Sequence, residues 1–205
     1  KLEKALKAFD LSVEVKTLLD IGASTGGFTD AALQNGAKMS YALDVGYNQL
    51  AWKIRQDPRV VVMERVNFRY AKPEDFTLGI PEVAVIDVSF ISLKLMLPPL
   101  HAILKEEGEV IALIKPQFEA GREAVGKNGI VRDPQTHQKV LEDILSFAAQ
   151  GGYDVLELSY SPITGGEGNI EFLAHLRKVP ETGTINSAIN MAEVVSNAHE
   201  QFDHK

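Results

Sequence analysis

The chain has 205 residues, with 21 Lys and Arg against 28 Asp and Glu and a formal net charge of −7. At 45% hydrophobic and 24% charged residues, the composition excludes a disordered or fibrous protein. No apolar run approaches the roughly 20 residues that cross a bilayer. The chain has no cysteine, which excludes a disulfide scaffold, a cysteine zinc site and thiol catalysis. These features predict a cytoplasmic protein, and a start at Lys1 without Met predicts a piece of a longer one.

Residues 1–9 place Leu2, Leu6 and Phe9 on one face of a predicted helix. After them, apolar runs of strand length alternate with segments of helix length. The predicted strands are residues 17–22, 39–45, 60–63, 83–88, 110–114, 153–159 and 172–176. The predicted helices are residues 26–35, 47–56, 92–104 and 134–150. This alternation predicts an α/β fold with a mostly parallel seven-stranded sheet and helices on both faces.

Two segments depart from the alternation. Residues 116–133 contain several glycines and mixed charge, which predicts a long loop after a strand, and long loops in compact domains tend to be functional. Only residues 161–170 separate the last two predicted strands, which is too short for a crossover helix. We therefore expect these two strands to pair antiparallel, so that the last strand of the sheet is reversed.

The end of the chain differs from the rest. We predict one domain over residues 1–179, followed over residues 180–205 by a linker and an amphipathic tail helix. The apolar face of that helix would pack either on the domain or on a neighbouring chain. The second arrangement would give a homodimer.

A glycine-rich turn over residues 18–28 gives the clearest local signal. A buried strand ends there in small residues that open a helix, and glycine lets the backbone approach a ligand closely. In an open α/β sheet, ligands bind at the carboxyl ends of the strands. Asp44 closes the second predicted strand, where a carboxylate can accept hydrogen bonds from both hydroxyls of a ribose. The predicted ligand contacts in the turn are Asp20, Gly22, Ser24, Gly26, Gly27 and Phe28.

Several ligands remain open for this turn. A dinucleotide fingerprint would read G-x-G-x-x-G, but Ser24 stands where its second glycine belongs. The observed spacing favours a nucleoside without a pyrophosphate, with S-adenosylmethionine as the leading candidate and its sulfonium near Asp20. NAD, or a structural turn that binds nothing, are the alternatives. A P-loop is excluded because no Gly-Lys-Ser/Thr follows.

Charged residues stand at the ends of later strands. Asp87 ends the fourth and Lys115 the fifth, so the two should emerge side by side, while Glu171 opens the last strand. An unpaired buried charge is costly, which favours a function for such residues. The structural alternatives are a helix cap for Asp87, an ion pair with Asp87 for Lys115, and simple solvation for Glu171.

Together these motifs resemble the hemolysin A (TlyA) family of ribosomal-RNA methyltransferases, which are FtsJ-like enzymes. The likeness covers about residues 1–178. It is carried by TLLDIGASTGGFTD, YALDVGYNQL, VVMERVNFR, VAVIDVSFISL, LIKPQFE and GNIEFL. The resemblance implies a Rossmann-like class I methyltransferase fold of seven strands with the last antiparallel. Family members usually carry an N-terminal S4 RNA-binding domain, and the resemblance implies that this sequence begins after it.

The resemblance also implies roles for individual residues. It implies S-adenosylmethionine as cofactor, with Asp44 at the ribose, Asn67 near the adenine and Asp87 beside the cofactor as well. The family's ribose 2′-O-methyl transfer uses a Lys-Asp-Lys-Glu tetrad, which maps onto Lys1, Asp87, Lys115 and Glu171. A 2′-hydroxyl must lose a proton to become a good nucleophile, and we hypothesise that Lys115 is the base that removes it.

The RNA is expected along the same edge of the sheet. Phosphate contacts give sequence-independent affinity, although the acidic residues in the same stretch also allow a merely solvated loop. The predicted contacts are Arg65, Arg69, Arg122, Lys127, Arg132 and Lys139. No metal site is predicted, since the histidines lack partners at metal-binding spacing.

Four functions are compared on this basis. The preferred one is a 2′-O-methyltransferase acting on ribosomal RNA. A non-catalytic RNA-binding or ribosome-assembly protein on the same fold is the main alternative, and it would not need Lys115. A lytic function is disfavoured because the sequence has no segment of the kind that inserts into membranes. A nicotinamide oxidoreductase is disfavoured by Ser24.

Overall fold

The computed structural model describes residues 2–203. Its helices are α1 (Leu2–Ala8), α2 (Gly27–Gln34), α3 (Trp52–Arg55), α4 (Leu97–Ile103), α5 (Pro116–Glu119), α6 (Pro134–Gln150) and α7 (Met191–Asp203). Its strands are β1 (Thr17–Ile21), β2 (Met39–Leu43), β3 (Val60–Met63), β4 (Val83–Ile86), β5 (Glu109–Ile114), β6 (Tyr153–Tyr160) and β7 (Phe172–Lys178). Short 3₁₀ turns connect several of them.

The strands form one sheet in the order β3-β2-β1-β4-β5-β7-β6. The first five strands in that order pair parallel. β7 runs antiparallel to both β5 and β6, which confirms the predicted reversal of the last strand. Because Ile114 pairs with Phe172, the carboxyl end of β5 lies beside the amino end of β7. The topology therefore brings the ends of β4, β5 and β7 to one edge of the sheet.

Helices cover both faces of the sheet. Leu19 and Ile21 of β1 pack on the side of α4, α6 and α7. Leu18 packs on the opposite side with α1 and α2. All five residues of β1 are buried, as expected for a parallel strand at the centre of a covered sheet. The continuous apolar runs of the sequence arise from this double coverage.

Two predicted boundaries differ from the observed ones. The helix predicted over residues 47–56 is only the single turn of α3, because Asn48 has a φ of 61° and its N–H donates to Glu64. A left-handed residue interrupts helical geometry. The loop predicted over residues 116–133 instead begins with the helical turn of α5, and 3₁₀ turns follow it.

The tail packs on the same chain. Thr184 O accepts the N–H of Val155 at 2.8 Å, and the N–H of Asn186 donates to Val155 O at 2.9 Å, so the segment before α7 pairs with the outer edge of β6. Val195 and Ala198 of α7 are buried against α6 and β6. Of the two partners expected for this helix, the structure shows the domain itself, and it gives no support to a homodimer through this face.

Candidate active site

A crevice of about 490 Å³ opens at the carboxyl edge of the sheet, above β1, β2 and β4. Its floor is formed by the glycine turn after β1, and its walls by the segments that follow β2, β3 and β4. Of the predicted ligand contacts, five line it: Gly22, Ser24, Asp44, Asn67 and Asp87. The side walls add apolar groups, among them Leu43, Val45, Val66, Phe68, Val88, Ile91 and Met96. This mixture of apolar walls and a few polar groups is typical of a small-molecule site.

Gly22 brings the turn against the next strand. It has a φ of 88°, which favours glycine, and a Cβ at this position would lie 2.0 Å from the carbonyl oxygen of Asp87. Any side chain there would push the segment after β4 away from the turn. Gly22 is therefore required for the two walls of the crevice to meet.

Asp44 is fixed by the backbone around it. Its Oδ2 accepts the N–H of Ser24 at 2.7 Å, and its Oδ1 accepts the N–H of Gly46 at 2.9 Å. An ionised carboxylate has about four lone-pair positions, so two remain for a ligand. The arrangement ties the glycine turn to the end of β2 and holds the carboxylate at the crevice.

Two predicted ligand contacts point away from the crevice. Asp20 is 2% exposed, and its Oδ2 accepts the hydroxyl of Thr29 at 2.7 Å on the side of α2. Burial raises the pKa of Asp20 to about 7, and the negative charges of Asp87 and Asp44 act in the same direction. Phe28 is buried in the core between α1, α2 and the sheet. Neither residue lines the crevice, and both lie behind the turn, where Asp20 bonds to α2 and Phe28 packs in the core.

Gly26 and Gly27 form the turn into α2. Gly26 has a φ of 93° and precedes the first residue of the helix, and a Cβ there would contact Leu50 at 2.7 Å. Gly27 begins α2 and lies outside the crevice lining. Gly26 is therefore packed against protein, whereas Gly27 is exposed and a Cβ there would meet no atom within 4 Å.

Asp87 and Lys115 meet beside the crevice, as the neighbouring strands β4 and β5 require. Lys115 Nζ lies 2.6 Å from Asp87 Oδ1 and 3.3 Å from the hydroxyl oxygen of Ser89. The lysine side chain is 9% exposed, whereas that of Asp87 is 30% exposed. The pair therefore joins a shielded amine to a carboxylate that faces the crevice.

Glu171 lies next to this pair at the amino end of β7. It is 2% exposed, and its Oε2 accepts the side-chain N–H of Gln117 at 2.9 Å. The backbone of Gly165 passes directly over the carboxylate, since a Cβ there would lie 1.9 Å from Oε2. Three members of the predicted tetrad thus converge, and the fourth, Lys1, lies outside the described residues.

Asn67 lies at the far end of the crevice. Its Oδ1 accepts the N–H of Arg69 at 3.1 Å and so caps the 3₁₀ turn over Phe68–Tyr70. A carbonyl oxygen has two lone pairs, and the amide nitrogen adds two donors, so the side chain can still contact a ligand. Its neighbour Phe68 supplies apolar wall beside it.

Sequence reasoning missed three residues at the site. Ser89 and Gln117 each stand two positions after a predicted catalytic residue, and Gln117 lies in the helical turn α5, so closeness in sequence was the only signal for them. Phe90 is 89% exposed at the crevice, with a φ of 65°, and its ring lies 4.8 Å from that of Phe118. For Phe90, the available signal was its position directly after the polar residues Asp87 and Ser89 at the end of a predicted strand.

The six residues predicted to contact RNA are all exposed. Arg65 stacks on the ring of Tyr47 at 4.1 Å, and Arg69 lies 5.6 Å from the ring of Tyr70. Arg122 and Lys127 are in the segment after α5, Arg132 precedes α6, and Lys139 is on α6. The Arg65–Tyr47 and Arg69–Tyr70 pairs each place a cation on an exposed aromatic ring beside the crevice.

Within residues 2–203, no group of three or more histidine or acidic side chains is placed to hold a metal ion. In the same part of the chain, no helix combines the length and apolar character needed to cross a membrane.

The family model for FtsJ-like methyltransferases matches residues 1–178. The chain belongs to this family. Membership confirms the resemblance drawn from the motifs, and with the observed sheet it confirms the Rossmann-like methyltransferase fold. The match ends at the carboxyl end of β7.

Individual FtsJ-like relatives are similar over nearly the whole chain. It is 62% identical to the "Putative rRNA methyltransferase YqxC" of Bacillus subtilis, covering 100% of this chain and 74% of that protein. It is 41% identical to the "16S/23S rRNA (cytidine-2'-O)-methyltransferase TlyA" of Mycobacterium tuberculosis, covering 97% of this chain and 73% of that one. A solved structure named "Putative hemolysin from Streptococcus thermophilus" has a TM-score of 0.96 at 59% identity, over 100% of this chain and 74% of that one.

Proposed function

We propose that this FtsJ-like methyltransferase transfers a methyl group from S-adenosylmethionine to a ribose 2′-hydroxyl of ribosomal RNA. The observation that carries the proposal is the Lys115–Asp87 pair at the crevice, beside Glu171. Relatives at 62% and 41% identity named as rRNA methyltransferases support the RNA substrate, and the second supports the ribose position. A substrate of this kind would place the enzyme in the cytoplasm.

The crevice residues fit this cofactor. Backbone N–H groups fix both carboxylate oxygens of Asp44 at the mouth of the crevice, and each oxygen retains a lone pair for one ribose hydroxyl. Asn67, among apolar groups such as Phe68, suits an adenine ring. The turn at Gly22 lies directly against the backbone of Asp87. The amino-acid end of the cofactor would therefore lie over the ends of β1 and β4.

The charge of the crevice separates this cofactor from NAD. Asp44 and Asp87 line it, and among the described lining residues none is Lys or Arg. Carboxylates attract the sulfonium and ammonium groups of S-adenosylmethionine, whereas they repel a pyrophosphate. A dinucleotide site would direct the N-terminus of the helix after its glycine turn at the phosphates, whereas Gly27, the first residue of α2, lies outside the crevice lining.

The protein residues have two tasks in the transfer. When bound, the cofactor supplies an activated methyl group on sulfur, and the protein aligns the hydroxyl and removes its proton. Lys115 would accept the proton of the 2′-hydroxyl as that oxygen takes up the methyl group, and the bound cofactor would leave as an uncharged thioether that keeps both electrons of the broken bond. Asp87 and Ser89 fix the position of the amine.

The surroundings of the crevice suit an unpaired nucleotide. Phe90 is almost fully exposed beside Asp87, and Phe118 supports its ring. Stacking of a base on an aromatic ring stabilises binding by roughly 1–3 kcal/mol. Arg65 and Arg69 lie on the other side, near the ends of β2 and β3, where they can contact phosphates.

The proposal is tested by methyl transfer from labelled S-adenosylmethionine to ribosomal subunits and free ribosomal RNA. We expect Lys115→Ala to lower the rate by about 100-fold or more, because the base is lost, while cofactor affinity measured by calorimetry changes little. Lys38→Ala, at an exposed position just before β2 and at the opposite end of the sheet from the crevice, is the matched control. Alkaline hydrolysis then locates the methyl group, since a 2′-O-methyl ribose leaves its phosphodiester uncleaved.

Two results would contradict the proposal. A Lys115→Ala variant with near-normal turnover would remove the assigned base. An intact chain that binds RNA but neither binds S-adenosylmethionine nor transfers a methyl group would favour the non-catalytic RNA-binding alternative. Loss of cofactor affinity in Asp44→Ala would separately establish the ribose contact.

A further inference from the structure

The helical turn α5 links the three described residues of the catalytic tetrad. It begins directly after Lys115, and its successive side chains contact different parts of the site. Gln117 donates to Glu171, and the ring of Phe118 lies against Phe90. The last residue of the turn, Glu119, reaches the segment that follows Asp87. A four-residue turn thus touches the segments after β4 and before β7.

Glu119 makes two hydrogen bonds across this gap. Its Oε2 accepts the hydroxyl of Ser92 at 2.8 Å, and its Oε1 accepts the N–H of Leu93 at 2.9 Å. Ser92 in turn accepts the N–H of Lys94 at 3.1 Å and so begins the 3₁₀ turn that leads into α4. Burial raises the pKa of Glu119 although both donors oppose the shift. The carboxylate is therefore held in a largely enclosed position by the segment after β4.

The segment that Glu119 holds carries both Asp87 and Phe90. Phe90 adopts a φ of 65°, a conformation that costs a bulky side chain about 1 kcal/mol or more and persists only where neighbouring contacts impose it. Before Phe90, the segment is held by the contact of Asp87 with Lys115. After Phe90, it is held by the hydrogen bonds of Ser92 and Leu93 to Glu119. The strained residue is thus fastened on both sides by the segment after β5.

We propose that Glu119 is a positioning residue, which holds the segment 87–93 so that Asp87 meets Lys115 and the ring of Phe90 stays exposed beside the crevice. Glu119 is not among the residues that line the crevice, and its two hydrogen bonds go to Ser92 and Leu93. Its catalytic consequence rests on the function proposed above, whereas the fastening of the segment can be measured without any substrate.

Three variants separate positioning from folding. Glu119→Ala removes both hydrogen bonds, and Glu119→Gln keeps a carbonyl oxygen that can accept one of them. Glu123→Ala, at an exposed position four residues further along the same segment, is the control. For each we would measure single-turnover methyl transfer at saturating RNA and cofactor, cofactor affinity by calorimetry, melting temperature, and amide hydrogen exchange of the peptides covering residues 87–96.

We expect Glu119→Ala to lower the single-turnover rate by about tenfold or more, since small misplacements of reacting groups are costly. Cofactor affinity should stay within about threefold of the intact chain, because the contacts that fix Ser24 and Asp44 on the other side of the crevice do not involve Glu119. Exchange should become faster over residues 87–96 and stay unchanged over β2 and β3. Glu119→Gln should recover most of the rate, and Glu123→Ala should resemble the intact chain throughout.

Two outcomes would overturn this assignment. One is unchanged exchange over residues 87–96 in Glu119→Ala. The other is a rate loss matched by equal losses of cofactor affinity and melting temperature, which would indicate a folding defect. An intact chain without methyl transfer would contradict the proposed function, and exchange over residues 87–96 would then decide by itself whether Glu119 fastens the segment.

Discussion

Asp20 shows how one buried carboxyl group can set the pH dependence of stability. It accepts a hydrogen bond from Thr29, whose hydroxyl also lies 3.0 Å from that of Ser40. Desolvation dominates, so the pKa in the folded chain is about 7, against 3.8 for an ordinary aspartate. Because folding raises the pKa of Asp20, protonation of this carboxyl group favours the folded state. Its contribution to the free energy of unfolding is complete below pH 3.8 and is lost as the pH rises through 7.

We therefore expect Asp20→Asn to become increasingly stabilising, relative to the intact chain, between pH 4 and pH 7. The amide keeps an acceptor for Thr29 but carries no charge to desolvate, and the difference should level off above pH 7 at a few kcal/mol. Thermal unfolding of both proteins at a series of pH values measures this difference. Asp10→Asn, at an exposed position, is the control. A stability difference that is the same at pH 4 and pH 8 would contradict the prediction.

Gly165 allows a second residue-level prediction. Its Cα faces the carboxylate of Glu171 so closely that a methyl group cannot fit without moving that side chain. We expect Gly165→Ala to reduce methyl transfer by about tenfold or more, with cofactor affinity unchanged. Gly166→Ala is a matched control, since a Cβ on the adjacent residue meets no atom within 4 Å. Equal activity of the two variants would show that Glu171 tolerates displacement.

At the scale of elements, a chain of two histidines joins α6 to α7. His137 Nε2 lies 3.0 Å from Val131 O, its Nδ1 lies 2.8 Å from His199 Nε2, and His199 Nδ1 lies 2.7 Å from Asp203 Oδ2. Both ends of this chain are acceptors, so the two rings must supply three protons between them. Two neutral imidazoles carry only two. This series of hydrogen bonds is complete only when the two rings together hold one additional proton.

Burial lowers the pKa of His137 to about 4, so this ring disfavours the additional proton that the hydrogen-bonded series requires. The other charged groups near these rings are Asp133 at the start of α6 and, in the cavity that His199 lines, Arg132 and Glu167. We expect α7 to loosen at a pH high enough to remove that proton, because one hydrogen bond of the chain is then lost.

Hydrogen exchange over residues 191–203, corrected for the intrinsic effect of pH and compared with β5, measures this loosening. In His199→Gln the pH dependence should disappear, because no second ring remains to take the proton. Protection of α7 that follows the same pH course in the variant and in the intact chain would contradict the prediction.

The same elements show what sequence patterns could and could not reveal. The Asp87–Lys115 contact was predictable, since each residue ends a buried parallel strand and the two strands are neighbours. The direction of Asp20 was not predictable, because β1 is buried on both faces and lacks the polar alternation that would show which side chains share a face. Phe28 is a similar case, since its direction depends on how α2 is rotated against the sheet.

Contacts distant in sequence account for the rest. Glu119 bonds to Ser92 and Leu93, and Gln117 bonds to Glu171. No local spacing encodes these contacts, because they depend on how the segments after β4 and β5 pack once the sheet has formed. The number of strands, the reversal of the last one and the position of the crevice were predictable from the sequence, whereas the supporting contacts around the site required the structure.

At the scale of the whole molecule, the tail completes the domain on one side. The segment before α7 pairs with β6, an edge strand of the sheet, and α7 covers apolar residues of α6. We expect a chain ending at residue 180 to melt at a lower temperature and to self-associate, because it exposes an unpaired strand edge and an apolar face. A chain ending at residue 203 is the control.

Calorimetry and light scattering test this prediction. Identical melting temperatures and masses for the two truncated chains would contradict it. An intact chain that is dimeric, and a chain ending at residue 180 that is monomeric, would instead support the tail-mediated homodimer that the sequence suggested.

The position of β7 has a consequence for the biosynthesis of the protein. β7 is the last strand to be made, yet it lies between β5 and β6 and carries the chain directly away from Glu171. A nascent chain that has emerged only as far as β6 therefore lacks both the partner of that strand and the acid of the tetrad. The crevice for the cofactor, built from β1 to β4, can form while the ribosome is still translating. The proposed catalytic group becomes complete only once Glu171 and β7 have left the exit tunnel.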